Sequence, residues 1–308
     1  MVDSNGFIPK ITGDGSATFY SKEFGEHFHC RNGAYTDAQQ NYVNAANIPE
    51  LAKAERLSVL DVCYGLGYNT AAALDTIQQV NPDCQVTIRA LEINAAVPKD
   101  AIANNLIHHW TPSTQTILKA LATDGQFKSP TLDLQLIIGD ARHTLPHLAS
   151  QSWQANAILF DPFSPTRCPQ LWTVEFFALT AQCLADSGIL ATYSCAAAVR
   201  TAMGLAGLTI GSLPGTGRHW PCTIAVRDQR PLPALSQQEQ EHLQTCAAIP
   251  YRDPTLSATA EAIMAARVRE QQGCSLESTG EWRRRWLKGE RRRGGEGEGE
   301  VRQHTWEG

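Results

Sequence analysis

Between residues 58 and 227 short apolar runs alternate with amphipathic stretches, and this alternation leaves the chain few ways to fold. The runs at 58–63, 86–92, 132–138, 155–160 and 189–194 have strand length and are too short for buried helices. Helical spacing separates them at 69–80, where Ala71, Leu74 and Ile77 share a face, and at 98–110, 171–184 and 196–206. Pro98 is acceptable because it falls in the first turn of its helix. Two further strands, 208–213 and 223–227, follow with no helix between them. Strands separated by helices imply βαβ units with right-handed crossovers. The predicted core is therefore a doubly wound α/β domain with a seven-stranded, mostly parallel sheet.

The flanks read differently. Residues 1–57 are mixed and form a candidate cap, with a small hairpin over 19–29 and a helix over 37–46. After Arg230 the composition shifts: Pro231 and Pro233 mark a linker, and 236–247 and 257–270 have helical patterns. Residues 281–293 are dense in Arg and Trp, and the Gly/Glu-rich 294–308 lacks the apolar residues to build a core. The expected organisation is a cap at 1–57, a core at 58–229, a helical extension at 230–290 and a disordered tail at 291–308.

Composition excludes several classes. The first fifteen residues are polar, so no secretory segment is expected, and no apolar run approaches the roughly 20 residues that span a bilayer. The nine cysteines are scattered without a C-x-x-C pair, which suggests reduced thiols in a cytoplasmic protein and no metal site. A net charge of −5 argues against a protein that coats nucleic acid but permits one local basic face.

Four motifs fall in chain order at successive strand ends. Ligands of open α/β sheets bind at that edge. The first is Asp61-Val62-Cys63-Tyr64-Gly65-Leu66-Gly67-Tyr68-Asn69, a two-glycine turn without the third glycine of a dinucleotide fingerprint. The second is Glu92, placed to accept ribose hydroxyls of either a nicotinamide cofactor or S-adenosylmethionine (SAM). The third is Gly139-Asp140-Ala141, whose acid suits an adenine amino group. The fourth is Asp161-Pro162-Phe163-Ser164-Pro165, an acid in a loop stiffened by two prolines. Asp161 could hold an amine so that its lone pair faces an activated methyl group, and such positioning is most of what methyl transfer asks. Taken together the four favour SAM over a nicotinamide.

Three stretches resemble the methyltransferase domain of the bacterial tRNA wobble-uridine modification proteins (the MnmC, or DUF752, family). The first is Gly15-Ser16-Ala17-Thr18, Tyr20-Ser21, Phe24-Gly25-Glu26-His27, Gly33, Asp37 and Tyr42-Val43; the second is 64–69. The third runs from 161–165 through Pro169, Leu171-Trp172-Thr173 and Phe176 to 188–193, Ala198-Val199-Arg200 and Gly215-Thr216-Gly217-Arg218. The resemblance covers about residues 14–228. It implies a class I SAM-dependent methyltransferase that converts 5-aminomethyl-(2-thio)uridine at tRNA position 34 to the 5-methylaminomethyl form. It also implies that Tyr64, Gly65, Gly67 and Asn69 line the methionine end of SAM, Glu92 the ribose, and Asp140 with Ala141 the adenine. Asp161 then faces both cofactor and amine, and Phe163, Arg167 and Arg218 meet the anticodon loop.

The chain departs from the family at three places. Cys63 stands where the first turn glycine is usual, so a reshaped turn is expected. The basic stretch after the G-x-G-R element reads Arg218-His219-Trp220-Pro221-Cys222, with less charge for anticodon-loop contact. No second glycine fingerprint follows Arg227, so the flavin oxidase half is not expected and another enzyme should supply the aminomethyl substrate.

His27 and His29 read as polar residues of one strand rather than as metal ligands, since no third ligand is evident. Trp172 reads as a core anchor behind the Asp161 loop. For Arg283–Arg285 and Arg291–Arg293 with Trp282 and Trp286, RNA contact and a solvated helix face stand equal. Two rivals remain at this point: a SAM enzyme acting on another RNA position or a small amine, and a non-catalytic protein of the same fold.

Overall fold

The computed structural model describes residues 7–216 and 220–293. Strands β1 (Ile8–Ile11), β2 (Ala17–Ser21) and β3 (Glu26–His27) form a three-stranded antiparallel sheet, and Tyr20 pairs with His27 as a hairpin over 19–29 requires. Helix α1 (Ala34–Asp37) runs into a wide π-helical turn (Ala38–Asn44), and α2 (Ile48–Leu51) leads to the core.

The core runs β4 (Arg56–Val62), α3 (Tyr68–Val80), β5 (Gln85–Glu92), α4 (Ala96–Ala103), α5 (Pro112–Asp124), β6 (Gln126–Lys128), β7 (Leu132–Ile138), α6 (Ala141–Ser150) and β8 (Ala155–Phe160). It continues through α7 (Val174–Gln182), β9 (Leu184–Thr192), α8 (Ala197–Leu205), β10 (Thr209–Leu213) and β11 (Cys222–Val226). The sheet order is β10-β11-β9-β8-β4-β5-β7-β6. The five strands from β9 to β7 are parallel, while β6, β10 and β11 pair antiparallel. The chain winds outward from β4 on one side and from β8 on the other, so the topological switch point lies between them. Every residue of β4 from Val59 onward is buried, as a strand covered on both faces must be.

The seven expected strands are all present. The eighth, β6, is a three-residue edge strand, too short to show a period of two in sequence. Helix 98–110 is shorter than expected: α4 ends at Ala103, and Asn105 then takes a left-handed backbone at φ 54°. Sequence pattern assigns neither α5 nor α6; Pro146 inside α6 imitates a helix stop. Strand β9 begins at Leu184 rather than 189, with a register shift opposite β8 as it crosses Asp186, Ser187 and Gly188.

The flanks pack on the core. Phe19, Tyr42 and Ile48 join the apolar cluster with α3 and α5 on one sheet face. After residue 230 come α9 (Gln237–His242), α10 (Ala260–Gly273) and α11 (Thr279–Arg293). Tyr251 and Ile263 join the cluster with α6, α7 and α8 on the other face. Among the described residues no helix is long and apolar enough to cross a membrane. Residues 294–308, most of the expected tail, lie outside the described residues.

Candidate active site

The turn after β4 starts from a buried acid. Asp61 is fully buried and accepts a hydrogen bond from Thr70 Oγ1 at 2.6 Å, while its Oδ1 has no partner. Burial raises its pKa to about 7, against the opposing Thr70 hydrogen bonds. The next residues must double back to bring α3 over the sheet. Cys63 does so at φ 70°, in the left-handed region that glycine takes without strain. Cys63 thus holds, as a non-glycine residue, a backbone conformation that favours glycine. Burial, then the neighbouring Cys168, Glu92 and Asp161, push the Cys63 thiol well above its ordinary pKa, so it stays protonated.

Gly65 follows at φ 55°, and its N–H donates to Glu92 Oε2 at 2.8 Å. Gly67 at φ 84° begins α3, and a Cβ there would lie 2.5 Å from the Tyr64 hydroxyl. Gly67 thus lets Tyr64 fold across the turn and does not itself reach the cavity wall. Glu92 ends β5 and is 7% exposed; its Oε1 accepts the Asn94 N–H at 2.8 Å. Burial raises its pKa, opposed by these backbone donors. Each oxygen keeps a lone pair for a further donor.

Asp140 caps α6, accepting the Arg142 N–H at 2.9 Å. The Arg142 guanidinium folds back onto it, with Nη2 to Oδ2 at 2.7 Å. The same guanidinium reaches into the C-terminal extension, to Asp253 Oδ2 at 3.1 Å and the Ala258 carbonyl at 2.9 Å. Burial pushes the Asp140 pKa up, but hydrogen bonds and charge from Arg142 outweigh it and hold the carboxyl below its ordinary value.

Asp161 follows β8. The Tyr42 hydroxyl, from the π-helical turn, donates to Oδ1, and Asn69 Nδ2, from the first turn of α3, donates to Oδ2 at 3.0 Å. Asn69 is 4% exposed, lines the cavity, and its Oδ1 has no hydrogen-bond partner. The following residues are pinned in turn. The Pro162 carbonyl accepts from Tyr193 Oη at 3.0 Å, the Phe163 carbonyl from Trp172 Nε1 at 2.8 Å, and Glu26 takes both the N–H and the hydroxyl of Ser164. Trp172 is fully buried against Phe160, as expected of an anchor behind this loop.

These groups enclose a cavity of about 830 Å³ between the carboxyl edge of the sheet and the N-terminal strands. Tyr64, Gly65, Asn69, Glu92, Asp140, Ala141, Asp161 and Phe163 all line it. Arg167 is exposed outside the wall, where a Cβ on Gly25 would lie 3.6 Å from its Cζ. Arg218 lies outside the described residues. His27 and His29 diverge: His29 Nδ1 bonds Thr18 Oγ1 at 3.0 Å, and His27 packs edge-on to Tyr20.

Several lining or supporting residues escape sequence reasoning. Ile93 is 62% exposed on the cavity beside Glu92, an apolar surface at a strand end; its place directly after the acid is the one signal available. Phe24, stacked on Phe163 at 4.4 Å, and Tyr42 and Asp253 come from distant parts of the chain and carry no local sign of their contacts.

The model of a family described as S-adenosyl-L-methionine-dependent methyltransferase matches residues 98–228. An uncharacterized protein of Methanocaldococcus jannaschii is 27% identical over 83% of this chain and 70% of its own length. The bifunctional tRNA 5-methylaminomethyl-2-thiouridine biosynthesis protein MnmC of Aromatoleum aromaticum is 27% identical over 75% of this chain. The match spans 37% of that protein, little more than a third of its length. The crystal structure of MnmC2 from Aquifex aeolicus superposes with a TM-score of 0.77 at 27% identity, covering 88% of this chain and 87% of that one.

Proposed function

We propose that the chain is a Rossmann-like S-adenosyl-L-methionine-dependent methyltransferase whose acceptor is the amine of 5-aminomethyl-(2-thio)uridine at tRNA position 34, in a cytoplasmic reaction; the family match and the likeness to MnmC2 support the first part. The likeness to MnmC and MnmC2 supports the substrate class. The observation that carries the reading is Asp161: a carboxylate on the cavity wall, gripped by Tyr42 and Asn69, in a loop with little freedom to move.

The residues present fit the cofactor. The buried Asn69 Oδ1 lacks a donor, as an acceptor for an amino-acid ammonium group should. A Cβ on Gly65 would lie 3.3 Å from the Phe28 ring, closing the cradle that glycine leaves open. Gly65, Asn69 and Tyr64 would hold the methionine end, Glu92 the ribose hydroxyls, and Ile93, Asp140 and Ala141 the base. When bound, SAM supplies a methyl carbon already activated by its sulfonium.

The chain's own work is then to orient the nucleophile. Asp161, oriented by Tyr42 and Asn69, accepts an N–H of the substrate amine. It is a weak base for that amine, because alkylammonium groups titrate near 10 and carboxylates near 4 (both approximate). Asp161 therefore binds and aims the nitrogen, and the proton leaves to water. Phe163, backed by Phe24, offers a ring face to the pyrimidine.

Nucleoside mass spectrometry of tRNA from a strain lacking the gene tests the reading. Accumulated 5-aminomethyl-uridines are expected; unchanged wobble uridines would overturn it.

A further inference from the structure

The Arg/Trp-rich segment at 281–287 is engaged within the protein. Trp282 is 1% exposed and stacks on His242 at 4.5 Å. Arg285 bridges Glu241 at 2.7 Å and Glu277 at 2.9 Å, and Trp286 Nε1 donates to Glu241 at 3.0 Å. The side chains of Arg291–Arg293 lie outside the described residues. What this helix describes is a strut of the extension.

A different set of cations borders the cavity. Lys10, Lys22, Arg31 and Arg167 are exposed, and no ion pair among the described residues engages them. Arg31 lines the cavity. Lys10 Nζ lies 5.7 Å from the centre of the Tyr20 ring, itself part of the lining. Lys22 stands between the lining residues Ser21 and Glu23, and Arg167 lies against Gly25, also on the lining. His27 feels both Lys10 and Arg31: burial first, then these two charges, hold its pKa down. The lining carboxylates of this stretch, Glu23 and Glu26, are two against the four cations, and Glu26 is held toward the loop by Ser164. Aromatic faces sit among the cations: Tyr20, Phe24 and Phe163.

We propose that Lys10, Lys22, Arg31 and Arg167 bind the phosphates of the RNA strand on either side of the acceptor nucleotide. The N-terminal sheet is then the RNA-docking face, and the C-terminal helix is not. Cations paired with ring faces beside a deep pocket are what an unstacked single strand requires, because every base has a ring face and every link a phosphate. A net charge of −5 makes this local excess of positive charge more selective, since other faces repel the strand. This inference rests on RNA being the substrate.

The test is fluorescence anisotropy of a labelled anticodon stem-loop RNA with the full chain across a salt series. Each single-strand phosphate contact contributes about 0.7 to the slope of log affinity against log salt. The quadruple variant Lys10→Gln, Lys22→Gln, Arg31→Gln, Arg167→Gln should lose about 2–3 of that slope and bind about a hundredfold more weakly near ~0.1 M salt. Arg283→Gln with Arg284→Gln should leave the slope unchanged. A thermal shift with S-adenosylhomocysteine equal to that of the wild type shows the quadruple variant folded with its cofactor end intact. If the wild-type slope survives in a folded quadruple variant, or falls in the C-terminal pair instead, the docking face is misplaced. If the wild-type chain binds no RNA at all, the RNA reading itself fails.

Discussion

Asp161 shows how one side chain's value depends on its neighbours. Asp161→Ala should cut turnover about a hundredfold or more, with the thermal shift by S-adenosylhomocysteine retained; full activity would remove the role assigned to it. Tyr42 touches Asp161 through its hydroxyl and acts as a positioning residue. A hydrogen bond to a charged group contributes about 1.5–3 kcal/mol, so Tyr42→Phe should lower kcat roughly ten- to a hundredfold and leave the KM for SAM unchanged. A rise in that KM with kcat intact would mean Tyr42 serves the cofactor instead. Asp61 makes a separate prediction about stability. Its folded pKa, about 7, lies above the ordinary aspartate value of about 4, so the fold favours the protonated acid. Its contribution is fully present below the unfolded value and is lost as pH rises through the folded one. Thermal melts should thus show stability falling between about pH 4 and 7, by an amount on the order of a few kcal/mol. Asp61→Asn, which still accepts from Thr70, should flatten that fall; an equally steep fall in the variant would acquit Asp61. Cys63 was legible as a departure from glycine, but its backbone angle was not, because a side chain's identity does not state the φ its neighbours impose.

Among the elements, those that carry the cavity floor were the most legible. Strands β4, β5, β7 and β8 are short, largely apolar runs, with the ends of β4 and β8 buried throughout; Glu92 ends β5, and Gly139 and Asp161 directly follow β7 and β8 to mark the edge. Their ends bring Gly65, Glu92, Asp140 and Asp161 to one rim because parallel strands share a direction. Helix α6 was hidden by Pro146, although its start is written plainly: Asp140 caps it, and the same acid borders the cavity. The extension's hold on that helix was illegible, since Arg142 and Asp253 lie 111 residues apart. Asp253 is fully buried, and its removal leaves the Arg142 guanidinium short of a partner. Breaking such a pair typically costs about 3–5 kcal/mol. Asp253→Ala should therefore lower the melting temperature and weaken S-adenosylhomocysteine binding several-fold, because Asp140 loses the fixed orientation of its own partner. Calorimetric titration that finds unchanged affinity in the folded variant would separate the extension from the cofactor end.

For the molecule as a whole, the sheet supplies the floor and the N-terminal strands supply the roof. The floor follows from periodicity, whereas the roof depends on tertiary packing of a segment whose residues alone read as a mixed cap. Phe24 stacks on Phe163, and Glu26 takes both polar hydrogens of Ser164, so two consecutive residues of the Asp161 loop are fastened to the roof. The acceptor must pass between these layers, while Glu92 and Asp140 stand on the floor side. Cutting the Glu26 clasp should thus affect the two ligands unequally. Glu26→Ala leaves the Phe24 stack but frees the Ser164 end of the loop, and the KM for RNA should rise about tenfold, the effect of losing a hydrogen bond or two of about 1 kcal/mol each. The KM for SAM should stay within about twofold, since no cofactor-end group loses a partner. Hydrogen exchange supplies the mechanical readout: amides of β2, β3 and residues 163–168 should exchange faster, and those of β4 and β5 should not, because local opening follows the contacts removed. Equal loss of both substrates, or faster exchange spread through the central strands, would mean that Glu26 supports the entire fold and that floor and roof do not act as separable layers.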